Sequence, residues 1–121
     1  MSCTFPWLHV KTPGTTIVSP YFPRNYLNNM DCEVSIIFES TQRVGLNFDT
    51  FETETNRECA DWLMIFDGNS SNSPLLGSKY CGASNFGSIE SSGKYMHLSF
   101  HSDEIITKSG FKLNTYAIGI M

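Results

Sequence analysis

Short runs in which apolar and polar residues alternate recur along the chain, and this pattern constrains the fold more than any other feature. No window of a dozen residues keeps apolar positions at the three- and four-residue spacing of an amphipathic helix. Alternation places successive side chains on opposite faces of a strand. The chain is therefore predicted to be all-β, with strands at residues 33–38, 44–49, 62–66, 95–100 and 111–116.

Clusters of turn-forming residues separate these runs. They lie at residues 13–14, 19–20, 23–29, 67–74, 82–87, 92–93 and 109–110. Short strands with frequent turns and no helices predict an antiparallel sandwich or barrel. The run at residues 62–66 is apolar at every position, which is typical of a central strand packed on both faces. With no repeat or low-complexity linker, we expect one domain over residues 1–121.

Four widely spaced cysteines indicate the compartment. Cys3, Cys32, Cys59 and Cys81 contain no Cys-x-x-Cys pair of the zinc or redox type. An even count in a small domain predicts two disulfides, each stabilising by about 3 kcal/mol through restriction of the unfolded chain. Three pairings are open, and the local one closes the shortest loops. Disulfides place the native chain in an oxidising, extracellular or lumenal setting.

The net negative charge of the chain comes from one segment. Residues 49–67 hold six acids and one base, whereas the remaining residues hold six acids and seven bases, so the formal net charge of −4 arises in this segment. So few bases argue against a nucleic-acid partner, because phosphate binding requires a basic face. A membrane span is excluded by the lack of an 18-residue apolar run. The beginning of the chain shows no secretory signal, and we expect a domain taken from a longer secreted parent.

The sequence contains no pattern typical of an enzyme. Nucleophile-elbow, zinc-helix, phosphate-loop and EF-hand motifs are absent. His101, Ser102 and Asp103 are the residue types of a hydrolytic triad, but neighbours on a strand point to opposite faces and cannot form a relay. His9 and His97 have no second histidine at ligand spacing. We therefore expect no catalytic activity.

Three segments taken in order resemble the CUB domain, the extracellular module of complement proteases, tolloid-type proteinases, neuropilins and cubilin. They are Ile17-Val18-Ser19-Pro20-Tyr21-Phe22-Pro23-Arg24-Asn25-Tyr26; Phe51-Glu52-Thr53-Glu54 with Cys59, residues 61–68 and Tyr80-Cys81-Gly82; and Leu98-Ser99-Phe100-His101-Ser102-Asp103 with Gly110-Phe111. The resemblance implies a two-sheet antiparallel, jelly-roll-like sandwich with disulfides Cys3–Cys32 and Cys59–Cys81. In one departure from the family pattern, Asp61 follows Cys59 by two positions rather than three.

The resemblance also implies a calcium site formed by two acids of this segment together with Asp103. Many CUB domains bind Ca²⁺ through acids that correspond here to Glu54, Asp61 and Asp103, with main-chain carbonyls near Ile105 as further ligands and Tyr26 in support. Ca²⁺ takes six to eight oxygen ligands, which three carboxylates, carbonyls and water can supply. Three carboxylates and one Ca²⁺ leave a charge of −1, so Glu54, Asp61 and Asp103 are also expected to face a Lys or Arg of a partner.

The sequence thus predicts a calcium-dependent module of a larger secreted protein, or of the extracellular part of a membrane protein, that recognises a basic protein ligand. Two alternatives stay open: a carbohydrate-binding CUB domain of the spermadhesin type, and a structural or dimerising module. Asn69-Ser70-Ser71 is an N-glycosylation acceptor, whereas the proline that follows Asn72-Ser73 excludes Asn72. We expect glycan at Asn69.

Overall fold

Two β-sheets packed face to face form the protein. The computed structural model describes residues 2–119, except for the side chains of residues 2–8, 56 and 57. The five-stranded sheet has the order β1-β3-β8-β5-β6, and the four-stranded sheet has the order β2-β9-β4-β7. The elements are β1 (Ser2–Val10), β2 (Thr16–Val18), β3 (Asp31–Ile37), β4 (Gln42–Glu52), α1 (Asn56–Cys59), β5 (Trp62–Phe66), β6 (Leu75–Tyr80), β7 (Ser88–Glu90), β8 (Tyr95–His101) and β9 (Gly110–Gly119). The predicted all-β sandwich is confirmed.

One strand pair departs from the predicted antiparallel arrangement. β1 runs parallel to β3, whereas the other pairs among the described residues are antiparallel. A parallel pair needs a long crossover connection. Residues 11–30 supply it, since β2 lies within them and pairs with β9 of the opposite sheet.

The core lies between the two sheets and follows the alternation seen in the sequence. From the five-stranded sheet, Val34, Ile36, Leu63, Ile65, Met96, Leu98 and Phe100 point inward; from the four-stranded sheet, Val44, Leu46, Phe48, Phe111 and Leu113 do. These side chains are almost fully buried. Their removal from water is the main stabilising contribution, at about 1.5–3 kcal/mol for each large side chain.

The expectation that β5 packs on both faces is only partly right. Leu63 and Ile65 are fully buried in the core, whereas Trp62 on the opposite face is only half-buried. That face is covered by side chains of neighbouring strands: His101 stacks on Trp62 at a centroid distance of 5.3 Å, and Lys79 Nζ lies 5.7 Å from the Trp62 ring. The apolar run therefore reflects contacts within the sheet as well as the core.

One of the two predicted disulfides, Cys59–Cys81, is present in the described part of the chain. Cys59 and Cys81 are bonded and join α1 to the end of β6. The register of β1 and β3 places Cys3 opposite Cys32. The side chain of Cys3 lies outside the described residues, so the Cys3–Cys32 bond stays a prediction.

Three strands direct their loops to one end of the sandwich. The start of β5 pairs with the end of β8 through Trp62 and His101. The end of β4 meets the start of β9, where Glu52 pairs with Gly110. The segments that follow β4 and β8, together with the residue that precedes β5, therefore meet at this end.

Candidate metal centre

Three carboxylates converge at this end of the sandwich. Glu54 follows β4, Asp61 precedes β5 and Asp103 follows β8, and one oxygen from each lies within 4.8 Å of the others. Glu54 is 2% exposed and Asp61 is fully buried, whereas Asp103 is half-buried. The sequence-predicted acids are thus brought together by three different strands, with Asp103 at the solvent side.

Thr53 fixes the end of β4 relative to β5. Its buried hydroxyl donates to the Asp61 carbonyl at 3.3 Å and accepts a hydrogen bond from the Gly82 N–H at 3.1 Å. The Thr53 N–H also donates to the Gly82 carbonyl at 2.9 Å. The backbone around Glu54 and Asp61 is therefore tied to the residue that follows Cys81.

Asp61 is held by hydrogen bonds to both of its carboxylate oxygens. Tyr26 Oη donates to Asp61 Oδ2 at 2.6 Å, and the Asp103 N–H donates to Asp61 Oδ1 at 2.8 Å. Burial raises the pKa of Asp61 above its usual range, the nearby Asp103 carboxylate adds to the rise, and these two hydrogen bonds oppose it. The carboxylate is rigidly oriented, yet its charge is costly without a cation nearby.

Tyr26 connects Glu54 and Asp61 from behind the site. Besides donating to Asp61, its oxygen accepts a hydrogen bond from the Glu54 N–H at 3.2 Å. The ring is buried and packs edge-on against Phe100 at a centroid distance of 5.0 Å. Burial first, and then the bond to Asp61, raise the pKa of the Tyr26 hydroxyl far above its usual value, so the group remains a donor.

Asp103 lies in a turn that also contains Ile105. The Ile105 N–H donates to Asp103 Oδ1 at 3.2 Å, and the Asp103 carbonyl accepts from the Asn29 N–H at 2.7 Å. The side chain of Ile105 is exposed. The role of the Ile105 main-chain carbonyl as a calcium ligand stays a prediction.

The short spacing between Cys59 and Asp61 does not prevent Asp61 from reaching the cluster. The turn contains α1, and both Glu58 and Cys59 have left-handed backbone angles, with φ of 55° and 65°. Residues other than glycine adopt this region rarely and usually only where the surroundings demand it.

The donor set fits a calcium ion. Carboxylate oxygens are the hard ligands that Ca²⁺ prefers, and Glu54, Asp61 and Asp103 each bring one of them to the shared position. Carboxylates crowded in a buried site repel one another unless a cation or proton compensates. Other acids of the segment lie outside the cluster: Glu52 accepts a hydrogen bond from Ser109 Oγ, and Glu58 is exposed.

The triad-like residues of the sequence have separate partners, as expected. His101 Nδ1 lies 2.6 Å from Asp31 Oδ1, and the Ser102 hydroxyl donates to the Leu27 carbonyl at 2.7 Å. The side chain of Asp103 belongs to the acidic cluster.

A Ser–His–carboxylate chain that the sequence did not suggest lies across β3 and β8. Ser35 Oγ is 2.8 Å from His97 Nδ1, and His97 Nε2 is 2.7 Å from Glu33 Oε1. Ser35 is only 9% exposed. The chain of hydrogen bonds links β3 to β8 and runs from the buried Ser35 and His97 to the exposed Glu33.

The glycosylation acceptor lies far from the cluster. Asn69 is exposed in the turn between β5 and β6, at the end of β5 opposite to Asp61. The turn is ordered by bonds from the Asp67 N–H to the Pro74 carbonyl and from the Ser73 N–H to the Ser70 carbonyl. Glycan at Asn69 stays a prediction, and the position is accessible to the modifying enzyme.

The chain is similar to known proteins over most of its length. The family model for the CUB domain matches residues 3–115. Mouse neuropilin-2 is 37% identical over 114 residues, covering 88% of this chain and 12% of the relative; bone morphogenetic protein 1 of Xenopus laevis is 38% identical over 108 residues, covering 88% and 15%. The chain thus spans less than a sixth of these relatives.

Solved structures match over most of the chain as well. The crystal structure of the MASP-1 CUB2 domain bound to Ca²⁺ superposes with a TM-score of 0.78 at 26% identity, covering 89% of this chain and 96% of that one. Among the described residues, no helix is long and apolar enough to cross a bilayer.

Proposed function

The chain belongs to the CUB domain family, and from this membership we propose that it is a calcium-dependent, non-catalytic recognition module of an extracellular protein. Glu54, Asp61 and Asp103 hold the ion and also face a Lys or Arg side chain of a protein partner. The observation that carries the proposal is the convergence of these three carboxylates within 4.8 Å of one another. The Ca²⁺ named for the matching MASP-1 domain supports the choice of metal.

The residues around the cluster have distinct roles in this proposal. Tyr26 and the Asp103 N–H orient the two oxygens of Asp61. When bound, calcium supplies positive charge that offsets the repulsion among the carboxylates. Their remaining lone pairs can accept hydrogen bonds from an ammonium or guanidinium group, and charge-assisted bonds of this kind are among the strongest in proteins. The half-buried Asp103 is the acid on the solvent side.

Residual charge sets the sign of the preferred ligand. The three acids and one divalent cation together carry −1, so a cationic side chain is attracted and a phosphate or carboxylate is not. The partner is a protein segment that presents Lys or Arg. A larger parent protein is in keeping with the relatives, of which this chain covers only a small part.

Calcium is expected to stabilise the folded domain by about 0.6–1.8 kcal/mol at 2 mM, taking an affinity in the range of about 10⁻⁴–10⁻³ M that extracellular modules show. The gain arises because the folded state assembles the carboxylates and the unfolded chain does not. Thermal unfolding in 2 mM calcium, in 2 mM magnesium and with a chelator measures it.

Magnesium serves as the control for ionic strength and divalent charge, because it requires a tighter octahedral geometry. Equal melting temperatures with calcium and with the chelator would contradict the calcium site. A calcium shift without calcium-dependent binding of a Lys-rich ligand would leave the site in place and contradict the recognition role.

A further inference from the structure

Exposed large apolar side chains are concentrated next to the acidic cluster. In the described part of the chain, five such side chains are strongly exposed, and four of them lie in the loops of residues 19–30 and 102–109. These four are Tyr21 at 57%, Leu27 at 40%, Ile105 at 38% and Ile106 at 47%. The fifth is Leu75, at 43%. Single exposed apolar residues are ordinary, whereas a group on adjacent loops marks an interaction surface.

The two loops are held side by side by hydrogen bonds. Ser102 Oγ donates to the Leu27 carbonyl at 2.7 Å, and the Asn29 N–H donates to the Asp103 carbonyl at 2.7 Å. Ile105 donates its own N–H to the Asp103 carboxylate. Leu27, Ile105 and Ile106, which we call the apolar rim, therefore border the solvent-side acid of the cluster.

Ile106 has a backbone conformation that its side chain disfavours. Its φ is 54°, in the left-handed region, where a β-branched residue is a marked outlier. The side chain is 47% exposed, so its own burial offers little compensation. Strain of this kind tends to persist at binding sites, where it presents a side chain to a ligand.

Charge indicates which partner the rim accepts. The two loops carry Arg24 and Lys108 against Asp103 and Glu104, and the neighbouring cluster adds Glu54 and Asp61. With one bound Ca²⁺ the formal charge of these groups is zero, so an anionic lipid surface is not attracted overall. A cationic side chain is attracted at the cluster itself, where three carboxylates and one Ca²⁺ carry −1, and the rim offers a place for an apolar side chain beside it.

We propose that the apolar rim and the acidic cluster together recognise a segment in which Lys or Arg stands within two residues of a large aliphatic or aromatic side chain. The inference rests on the proposed function, and it adds a sequence requirement on the partner. The cation supplies calcium dependence, and the apolar neighbour supplies additional affinity through burial against the rim.

Two matched peptides test this requirement on the intact protein in 2 mM calcium. Both contain one central Lys, which Leu flanks in the first peptide and Ser in the second. Fluorescence polarisation is expected to show about five- to tenfold tighter binding of the Leu-flanked peptide, which corresponds to burial of part of one aliphatic side chain. Binding of either peptide should be lost with a chelator.

Variants of the rim separate it from the metal site. Leu27→Ser and Ile106→Asn are expected to remove the preference for Leu while leaving the calcium titration and Ser-flanked peptide binding unchanged. Asn tolerates a left-handed backbone, so Ile106→Asn should also raise the melting temperature by about 2–6 °C. Leu75→Ser is the matched control, because Leu75 is similarly exposed but lies on β6.

The outcomes distinguish the two proposals. Equal binding of both peptides, or a preference for Leu that survives Leu27→Ser and Ile106→Asn, overturns the role of the rim alone. Absence of calcium-dependent binding for both peptides overturns the proposed function. Rim-dependent sedimentation with phosphatidylcholine–phosphatidylserine vesicles, without peptide discrimination, overturns the rim proposal in favour of a membrane surface.

Discussion

Asp103→Asn is expected to lower the calcium affinity of the domain by at least about tenfold, because calcium affinity depends on the number of charged ligands in the site. Two hydrogen bonds that position this residue use its backbone, which donates to Asp61 Oδ1 and accepts from Asn29. A third runs from the Ile105 N–H to Asp103 Oδ1, and the amide oxygen of Asn can accept it. The loop should therefore keep its conformation. Isothermal titration with calcium measures the loss.

The same substitution should have the opposite effect on the ion-free protein. The Asp103 carboxylate raises the pKa of the buried Asp61, which shows that the two charges repel each other. Removing one of them should leave the stability in chelator unchanged or raise it by up to about 1 kcal/mol, the usual scale for a half-exposed charge pair. Reduced metal affinity without reduced stability identifies a ligand rather than a structural residue.

Glu52→Gln is the matched control for this experiment. Glu52 belongs to the acidic segment of residues 49–67, as Glu54 and Asp61 do, but it bonds to Ser109 and lies outside the cluster. It should alter calcium affinity only through long-range charge, by much less than Asp103→Asn. If both variants weaken calcium binding equally, the segment acts as a diffuse negative surface and the assigned ligand set is wrong.

The strands could be predicted because alternation is a local signal, whereas the pairing of Cys59 with Cys81 was implied only by the resemblance to the CUB family. Alternation in residues 33–38 and 95–100 corresponds to β3 and β8, and Cys59 and Cys81 are bonded. The sequence pattern did not reveal β6, because Leu75-Leu76-Gly77-Ser78 does not alternate, nor the parallel direction of β1, which depends on the path of a long connection.

The candidate site was predictable only through resemblance to a family. Glu54, Asp61 and Asp103 are separated by up to 49 residues, and no spacing rule brings them together. The apolar rim was not predicted at all, since Leu27 and Ile105 belong to loops far apart in the chain and each looks like an ordinary surface residue alone. Hydrogen bonds between the loops, such as that from Ser102 to Leu27, create the surface.

Tyr26→Phe is expected to lower calcium affinity by about 10–100-fold, the usual cost of removing a group that orients a metal ligand. The ring keeps its packing against Phe100, and only the hydroxyl is lost. Asp61 then lacks one of its two donors, so its pKa should rise further because the Tyr26 hydrogen bond lowers it. A carboxylate that is harder to ionise and less firmly oriented binds calcium more weakly.

The hydroxyl also contributes to the stability of the ion-free protein. It accepts from the Glu54 N–H as well as donating to Asp61, so its removal should cost about 1–3 kcal/mol in chelator. Tyr26→Phe should therefore reduce both affinity and stability, whereas Asp103→Asn reduces affinity alone. Chemical denaturation with and without calcium separates the two quantities.

Tyr80→Phe is the matched control, since Tyr80 is also buried but its ring packs against Phe48 and Phe86 and its hydroxyl bonds to the Ser78 backbone rather than to an acid. It should leave calcium affinity unchanged. In a double-mutant cycle with Asp61→Asn, the effects of Tyr26→Phe and Asp61→Asn on affinity should be strongly non-additive, because both change the contact between the Tyr26 hydroxyl and the side chain of residue 61. Additive effects, or equal calcium affinity in the Tyr26 and Tyr80 variants, would show that Tyr26 serves packing only and that the orientation of Asp61 is set elsewhere.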